Sequence, residues 1–257
     1  MTKLALIPPV SLLDTAIGSD HQLALPHMLA SNEEYLNWYR ARGDAGDYII
    51  LDNGEAEGEN RFKTHELIEM AVDIKADEVV AHDVMGDMEA TKSATKQFLR
   101  DVPNIHGSAG LKIGIVAQGE NRSEVIDFVD YFLEHHALEF DTIHLPRHLI
   151  GSLGPVGRIS IAKALKQTYP SLFDAYDVHF LGAHYEAPAE LLRLAHEMPE
   201  VRSMDTSMPY NYAYAGSGLT GGRHKRPEGY FELRREDFKD LNLVHENIRI
   251  MKRWVNG

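Results

Sequence analysis

The sequence predicts an α/β fold of the (β/α)8 TIM-barrel type, and three observations carry that prediction. Short apolar or β-branched runs alternate with stretches of helical periodicity almost from end to end, the pattern of βα units on a parallel sheet. Polar residues gather just after those runs, where such a barrel assembles its site. The chain has 257 residues with 44% hydrophobic content, enough for one large core, so residues 1–257 read as one barrel domain with a basic loop and tail at 210–257. An open doubly wound sheet is the competing architecture.

Seven strands are expected, at Leu4–Ile7, Tyr48–Leu51, Glu78–Ala81, Lys112–Ala117, Phe140–Leu145, Val178–Leu181 and Val201–Met204. An eighth is sought in His21–Leu25 or in Tyr230–Leu233, which makes an irregular first or last strand part of the expectation. Between the runs lie amphipathic helices. Ser31-Asn-Glu-Glu34 has capping-box spacing ahead of Tyr35, Leu36 and Tyr39. Leu67, Met70, Ala71 and Ile74 recur at helical spacing, as do Val125, Phe128, Val129 and Phe132. Pro188 suits the first turn of a helix over Ala187–Met198, and Val244–Trp254 reads as a closing helix. Gly216–Gly222, with Arg223–Pro227 after it, reads as a mobile loop. No G-x-G-x-x-G or G-x-x-x-x-G-K-[ST] follows a strand, so dinucleotide and P-loop functions lack their phosphate cradle.

Cysteine is absent, which excludes disulfides, thiolate zinc sites, Fe–S clusters and cysteine nucleophiles. Neither a secretory signal nor an apolar run of membrane length is visible, so a cytoplasmic protein with no membrane partner is expected. A net charge of −13 argues against indiscriminate nucleic-acid binding. From Arg223 onward, however, nine bases face six acids, a local excess of +3 that leaves −16 on the rest. That tail is either a phosphate-facing patch or a solvated mixed-charge face.

The strand ends carry the chemistry. Asp52-Asn53-Gly54-Glu55 follow the second run, His82-Asp83 the third and Gln118-Gly119 the fourth. Pro146-Arg147-His148 follow the fifth, Gly182-Ala183-His184 the sixth and Asp205 the seventh. Any one of these is commonly a cap or turn former, but six ends of one character point to a shared pocket. Two chemistries fit. In the first, one carboxylate attacks a glycosidic carbon while a second handles protons, with Asp205 and Asp52 as the pair. In the second, His82, Asp83, His144, His184 and Asp205 hold a metal for hydrolysis, although no H-x-H or H-E-x-x-H spacing occurs. A catalytically silent nucleic-acid-binding barrel is a third reading.

Taken in order, these segments resemble the tRNA-guanine transglycosylase superfamily, and more closely its phage-type enzymes that place 7-deazaguanines in DNA. Tyr48-Ile-Ile-Leu-Asp-Asn-Gly54 is similar to the family's D-S-G-G-F-Q strand, and Val79-Val-Ala-His-Asp83 to M-x-F-D-E. Gly114-Ile-Val-Ala-Gln-Gly119 is similar to G-I-V-Q-G-G, Phe180-Leu-Gly-Ala183 to Y-L-M-G-V-G, and Met204-Asp-Thr-Ser-Met-Pro209 to F-D-C-V-M-P-T. The resemblance implies exchange of guanine in nucleic acid for a 7-deazaguanine such as preQ0, with Asp205 as nucleophile through a covalent aspartyl-glycosyl intermediate and Asp52 as general base. The expected substrate-binding set is Asn53, Asp83, Gln118, Gly119, His144, Leu145, Arg147, Leu181 and His184, with Arg147 a candidate for holding phosphates, and the resemblance implies roles for four of them. Within it Asp83 and Gln118 read the purine edge with backbone groups near Leu145, and Leu181 packs on its face. No metal or organic cofactor is implied. The partners are then a nucleic acid and the free base, in the cytoplasm, the host's if a phage encodes the chain.

Departures from the family pattern shape the expectation further. Gly54-Glu-Ala56 stands where the family has G-F-Q, and His144-Leu-Pro-Arg147 where it has G-G-L-x-V-G. The tRNA enzymes' zinc subdomain needs cysteines that this chain lacks, so DNA is favoured over tRNA. Tyr210, Arg223, Lys225 and Arg226 are the expected nucleic-acid contacts, by charge and stacking.

Overall fold

Runs of β-branched and aliphatic residues, buried on both faces, favour parallel pairing, and in the computed structural model of the protein eight such strands close into a barrel. The structure describes residues 2–19, 21–58, 62–154, 156–183 and 188–256. The strands are β1 Lys3–Leu6, β2 His21–Ala24, β3 Tyr48–Leu51, β4 Glu78–Val80, β5 Lys112–Val116, β6 Thr142–Pro146, β7 Asp177–Leu181 and β8 Ser203–Thr206. They lie in chain order, all parallel, and β8 returns to β1 with Lys3 opposite Ser203 and Asp205 opposite Ala5. The helices are α1 Pro26–Ser31, α2 Glu33–Asp44, α3 Thr64–Asp73, α4 Met88–Asp101, α5 Arg122–His135, α6 His148–Leu153, α7 Gly157–Thr168, α8 Leu172–Ala175, α9 Pro188–Glu197, α10 Met208–Tyr214 and α11 Leu241–Asn256. Among the described residues no helix is long and apolar enough to cross a membrane.

The closed barrel replaces the open-sheet alternative, and several boundaries move for local reasons. The eighth strand is His21–Ala24, whereas Tyr230–Glu232 forms a single 3-10 turn. The last strand starts at Ser203 rather than Val201, because Thr2 Oγ1 takes the Val201 carbonyl and Lys3 N takes that of Arg202. Asp205 therefore lies inside the ladder instead of after it. Asn32, not Ser31, caps α2 by accepting from Tyr35 N at 2.9 Å, and Ser31 closes α1 with its hydroxyl on the His27 carbonyl. The Gly216–Gly222 segment has no regular structure but is tied down. The Asn247 side chain on α11 accepts from Leu219 N at 3.1 Å and donates to the carbonyls of Pro209 and Ser217.

The apolar stripes of the helices largely do what their periodicity predicts: Leu67 and Ala71 on α3 and Ile74 at its end are buried and Met70 half-buried, and Val125, Phe128, Val129 and Phe132 on α5 are buried. The barrel interior is different, because it contains ions. Glu78 on β4 is fully buried, with Oε1 2.7 Å from His144 Nε2 on β6 and Oε2 accepting from Tyr48 Oη at 2.8 Å and Arg202 at 2.6 Å. β4 and β6 are not neighbours, so the histidine must cross β5. It passes over Gly114, where a Cβ would lie 2.1 Å from His144 Nε2. Arg202 also reaches Asp177 at 3.1 Å, and Lys112 pairs with the same carboxylate.

Burial raises the proton affinity of Glu78, but the hydrogen bond and charge of His144 and Arg202 outweigh it and hold the carboxyl well below the usual range. Removing one partner of such a buried ion leaves an uncompensated charge. Arg202→Met is accordingly expected to cost about 3 kcal/mol in denaturant unfolding and to lower Tm by roughly 10 °C. An unchanged midpoint would show that His144 and Tyr48 suffice.

Candidate active site

The carboxyl ends of all eight strands surround one cavity of about 670 Å³, within the range of small-molecule sites. Its floor and walls carry Asp52 and Asn53 from the end of β3, Asp83 after β4, Gln118 after β5, Arg147 and His148 after β6, Leu181 and Gly182 on β7, and Asp205 on β8. Ile7, Leu23, Leu25 and Met85 supply apolar wall, and Lys225 and Arg226 of the tail close one side.

Asp205 is held through a single oxygen. Its Oδ1 accepts from Gly182 N at 2.7 Å and from His179 Nε2 at 3.1 Å, while Oδ2 accepts nothing among the described residues. Gly182 can aim its N–H this way because it holds a left-handed φ of +66°, a conformation favouring glycine. His179, fully buried on β7, keeps Ser203 Oγ at 2.7 Å from its Nδ1. Burial drives the ring's pKa down to about 4, the Asp205 contact opposing and the nearby His144 and Arg202 reinforcing the shift, so the imidazole is neutral at neutral pH.

Asp83 is gripped on both oxygens, by Asn53 Nδ2 at 2.7 Å and by Gln118 Nε2. Asn53 is itself anchored on the Ala81 carbonyl at 2.7 Å, and Gln118 Oε1 accepts from Gly86 N at 3.0 Å. Burial raises the pKa of Asp83, with the two amide donors opposing and Glu55 adding to it. Asp52 is buried at the edge of the same cavity, with Gly54 N 3.4 Å from its Oδ2.

Beneath the β6 and β7 ends lies a group that sequence reading missed. Arg158 on α7 is fully buried and forms a two-point pair with Glu190 of α9 at 2.9 and 2.5 Å. Its remaining N–H groups hold the carbonyls of Leu145 at 3.2 Å, Leu181 at 2.7 Å and Gly182 at 2.9 Å. The signal for it is weak, because an arginine within a helical stripe reads as a surface residue.

The expected residues thus divide. Asp52, Asn53, Asp83, Gln118, Arg147, Leu181, Asp205, Lys225 and Arg226 meet at the cavity. His144 does not; it is spent on Glu78 in the barrel interior. Leu145 is fully buried and its carbonyl is taken by Arg158, so it offers no backbone acceptor to a base. Gly119 stands off the described wall, pressed against the start of α5, where a Cβ would meet Glu124 at 2.8 Å, and its carbonyl accepts from His148 at 3.0 Å. Tyr210 is no nucleic-acid contact: it is buried in α10, its hydroxyl 3.0 Å from that of Thr15. Arg223 is exposed but outside the described wall. His184 lies outside the described residues.

The chain matches no protein-family model and no curated protein. Chemical assignment therefore rests on the side chains. Among the described residues no three His, Asp or Glu side chains are grouped to hold a metal ion; of the proposed ligands, His144 is engaged by Glu78, Asp83 by two amides and Asp205 through Oδ1 by Gly182 and His179, His82 packs edge-on against Phe98, and His184 lies outside the described residues. A carboxylate fixed through one oxygen, in a cavity shared with a second buried acid and with cations, has the chemistry to attack an electrophilic carbon and to exchange protons. Arg147 and Lys225 make no ion pair among the described residues, which leaves both available to an anion.

The depressed His179 value has a thermodynamic sign. Between pH 6.5 and about 4 the unfolded chain takes up a proton that the folded ring refuses. The contribution is therefore full above pH 6.5 and lost as pH falls through that window, by roughly 3 kcal/mol. Denaturant unfolding at a series of pH values should show wild type losing more stability than His179→Gln across it; parallel curves would contradict this.

Proposed function

We propose that the protein is a guanine transglycosylase acting on nucleic acid, with DNA as the preferred polymer and a 7-deazaguanine as the incoming base. The observation that carries the reading is Asp205, held through Oδ1 by Gly182 and His179 with its other oxygen accepting nothing among the described residues, at a cavity of about 670 Å³.

In the first half-reaction Asp205 Oδ2 bonds to C1′ as the C1′–N9 bond breaks, its electron pair leaving with guanine, which takes a proton from Asp52. In the second, Asp52 removes the proton from the ring nitrogen of the incoming base, and that nitrogen displaces Asp205 from C1′. Each step passes through an oxocarbenium-like state that a fixed carboxylate stabilises.

Other features support the same reading. Leu181, Met85, Leu23 and Leu25 give the base a flat apolar lodging, and the Asp83–Gln118 pair keeps an amide N–H and carboxyl lone pairs for a purine edge. Arg147 and Lys225 suit flanking phosphates. The target nucleotide has to leave its stack to reach Asp205, so single-stranded or locally melted DNA is the better substrate.

The decisive assay mixes the protein with guanine-containing DNA or tRNA and labelled guanine or 7-cyano-7-deazaguanine. Label should enter DNA with wild type and not with Asp205→Asn, while Asp52→Asn slows turnover by ~10²-fold or more. Label in tRNA alone would remove the DNA preference, and label in neither would remove the transglycosylase reading. Separately, Arg147→Ala and Lys225→Ala should each weaken DNA binding regardless of sequence and lower the slope of log affinity against log salt by about 1; unchanged slopes would take these residues off the phosphate path.

A further inference from the structure

The two donors on Asp205 Oδ1 differ in kind. Gly182 N–H is fixed by the backbone, but His179 donates from Nε2 only in the right tautomer. The groups around the ring decide that tautomer. On one side, the carboxylate of Asp205 accepts at 3.1 Å, which requires hydrogen on Nε2. On the other, a neutral ring must then accept at Nδ1, and Ser203 Oγ sits 2.7 Å away as the donor. Ser203 Oγ in turn receives Arg202 Nε at 3.1 Å, which turns its own hydrogen toward the histidine. Arg202 cannot reverse this, because a guanidinium only donates. The remaining facing group is His144, its ring centre 5.0 Å away, already committed through Nε2 to Glu78. The result is a one-directional chain of donors, Arg202 to Ser203 to His179 to Asp205, running up the barrel interior to the cavity.

We infer that His179 is a positioning residue for the reaction proposed above: it holds Asp205 Oδ1 so that Oδ2 faces the sugar, and Ser203 with Arg202 fixes the tautomer that does so. The inference rests on the transglycosylase reading. His179 touches no substrate atom; it acts through Asp205, so its removal should reduce the rate of attack and not the binding of nucleic acid.

The test combines one readout independent of turnover with one that depends on it. Imidazole ¹⁵N NMR of wild-type protein at pH 7 should show His179 neutral and protonated at Nε2; an Nδ1–H tautomer or an imidazolium overturns the inference. In the DNA exchange assay, His179→Leu should lower kcat by ~10- to 100-fold, the loss that follows removal of an orienting partner, with KM within about twofold. His179→Gln, whose amide can donate from the same place, should recover most of that loss. Ser203→Ala keeps the ring and removes only the hydroxyl, so it should lower kcat severalfold and shift the ¹⁵N pattern toward mixed tautomers even if His179→Leu fails to fold. Full kcat in folded His179→Leu, equal loss in the Leu and Gln variants, or an unaltered Ser203→Ala overturns the inference. Wild type with the Nε2–H tautomer but no exchange into DNA or tRNA overturns the functional reading and the positioning role with it, and leaves the hydrogen bond standing.

Discussion

A fully buried carboxylate, Glu78, sets the terms for the inside of this barrel. An ion there is tolerated only if each oxygen is met by donors or positive charge, and the residues that meet it come from β3, β6 and the position just before β8. That requirement fixes the side chains of four strands relative to one another and demands glycine at position 114, where His144 crosses. Aliphatic packing alone holds strands together without specifying so directed a register. Arg202, drawn inward by Glu78, also touches Ser203, so the same constraint reaches His179 and Asp205 at the opposite end of the strands.

Around the cavity, charge is sorted by depth. Acids lie in the wall and cations stand at the exposed mouth. The Arg158–Glu190 pair adds a second kind of order: by holding three carbonyl groups at the ends of two adjacent strands it ties the β6 and β7 ends together. Gly182 N–H is thereby aimed at Asp205 from a backbone that its own carbonyl contact keeps in place. Recognition is left to side chains, Asp83 and Gln118 above all, and to apolar wall.

Much of this was legible in the sequence, and the exceptions have physical causes. Seven strands announced themselves as apolar runs, because parallel strands buried on both faces are mostly apolar. β2 did not, since Gln22 interrupts it; that glutamine is tolerated because its amide donates to the Ala16 and Ser19 carbonyls and to Asp47. The converging acids were legible because they end strands. His144 was misread as a site residue because position along a strand does not tell interior layer from rim. Alternation would have helped: His179 shares a face with Leu181, and Ser203 with Asp205, two residues apart in each strand. Arg158 and Glu190 had no such cue, since their partnership joins two helices 32 residues apart. Tyr210 looked exposed only because aromatic residues beside a basic tail invite that reading.

The tail contact between Tyr230 and the carbonyl of Ile7 joins segments 223 residues apart, across the top of the barrel. Its neighbours Lys225 and Arg226 reach the cavity mouth, so assembly of the site has an order. Asp205 gains its donors from β7, the adjacent and just preceding strand, as soon as that pair forms. Lys225 and Arg226 reach the mouth only when a distant stretch of chain lies down over the first strand, a long loop closure of the kind that slows folding. With the tail undocked, the carboxylates would face the opening with Arg147 but without Lys225 and Arg226, and the mouth would attract a polyanion less strongly than in the docked chain.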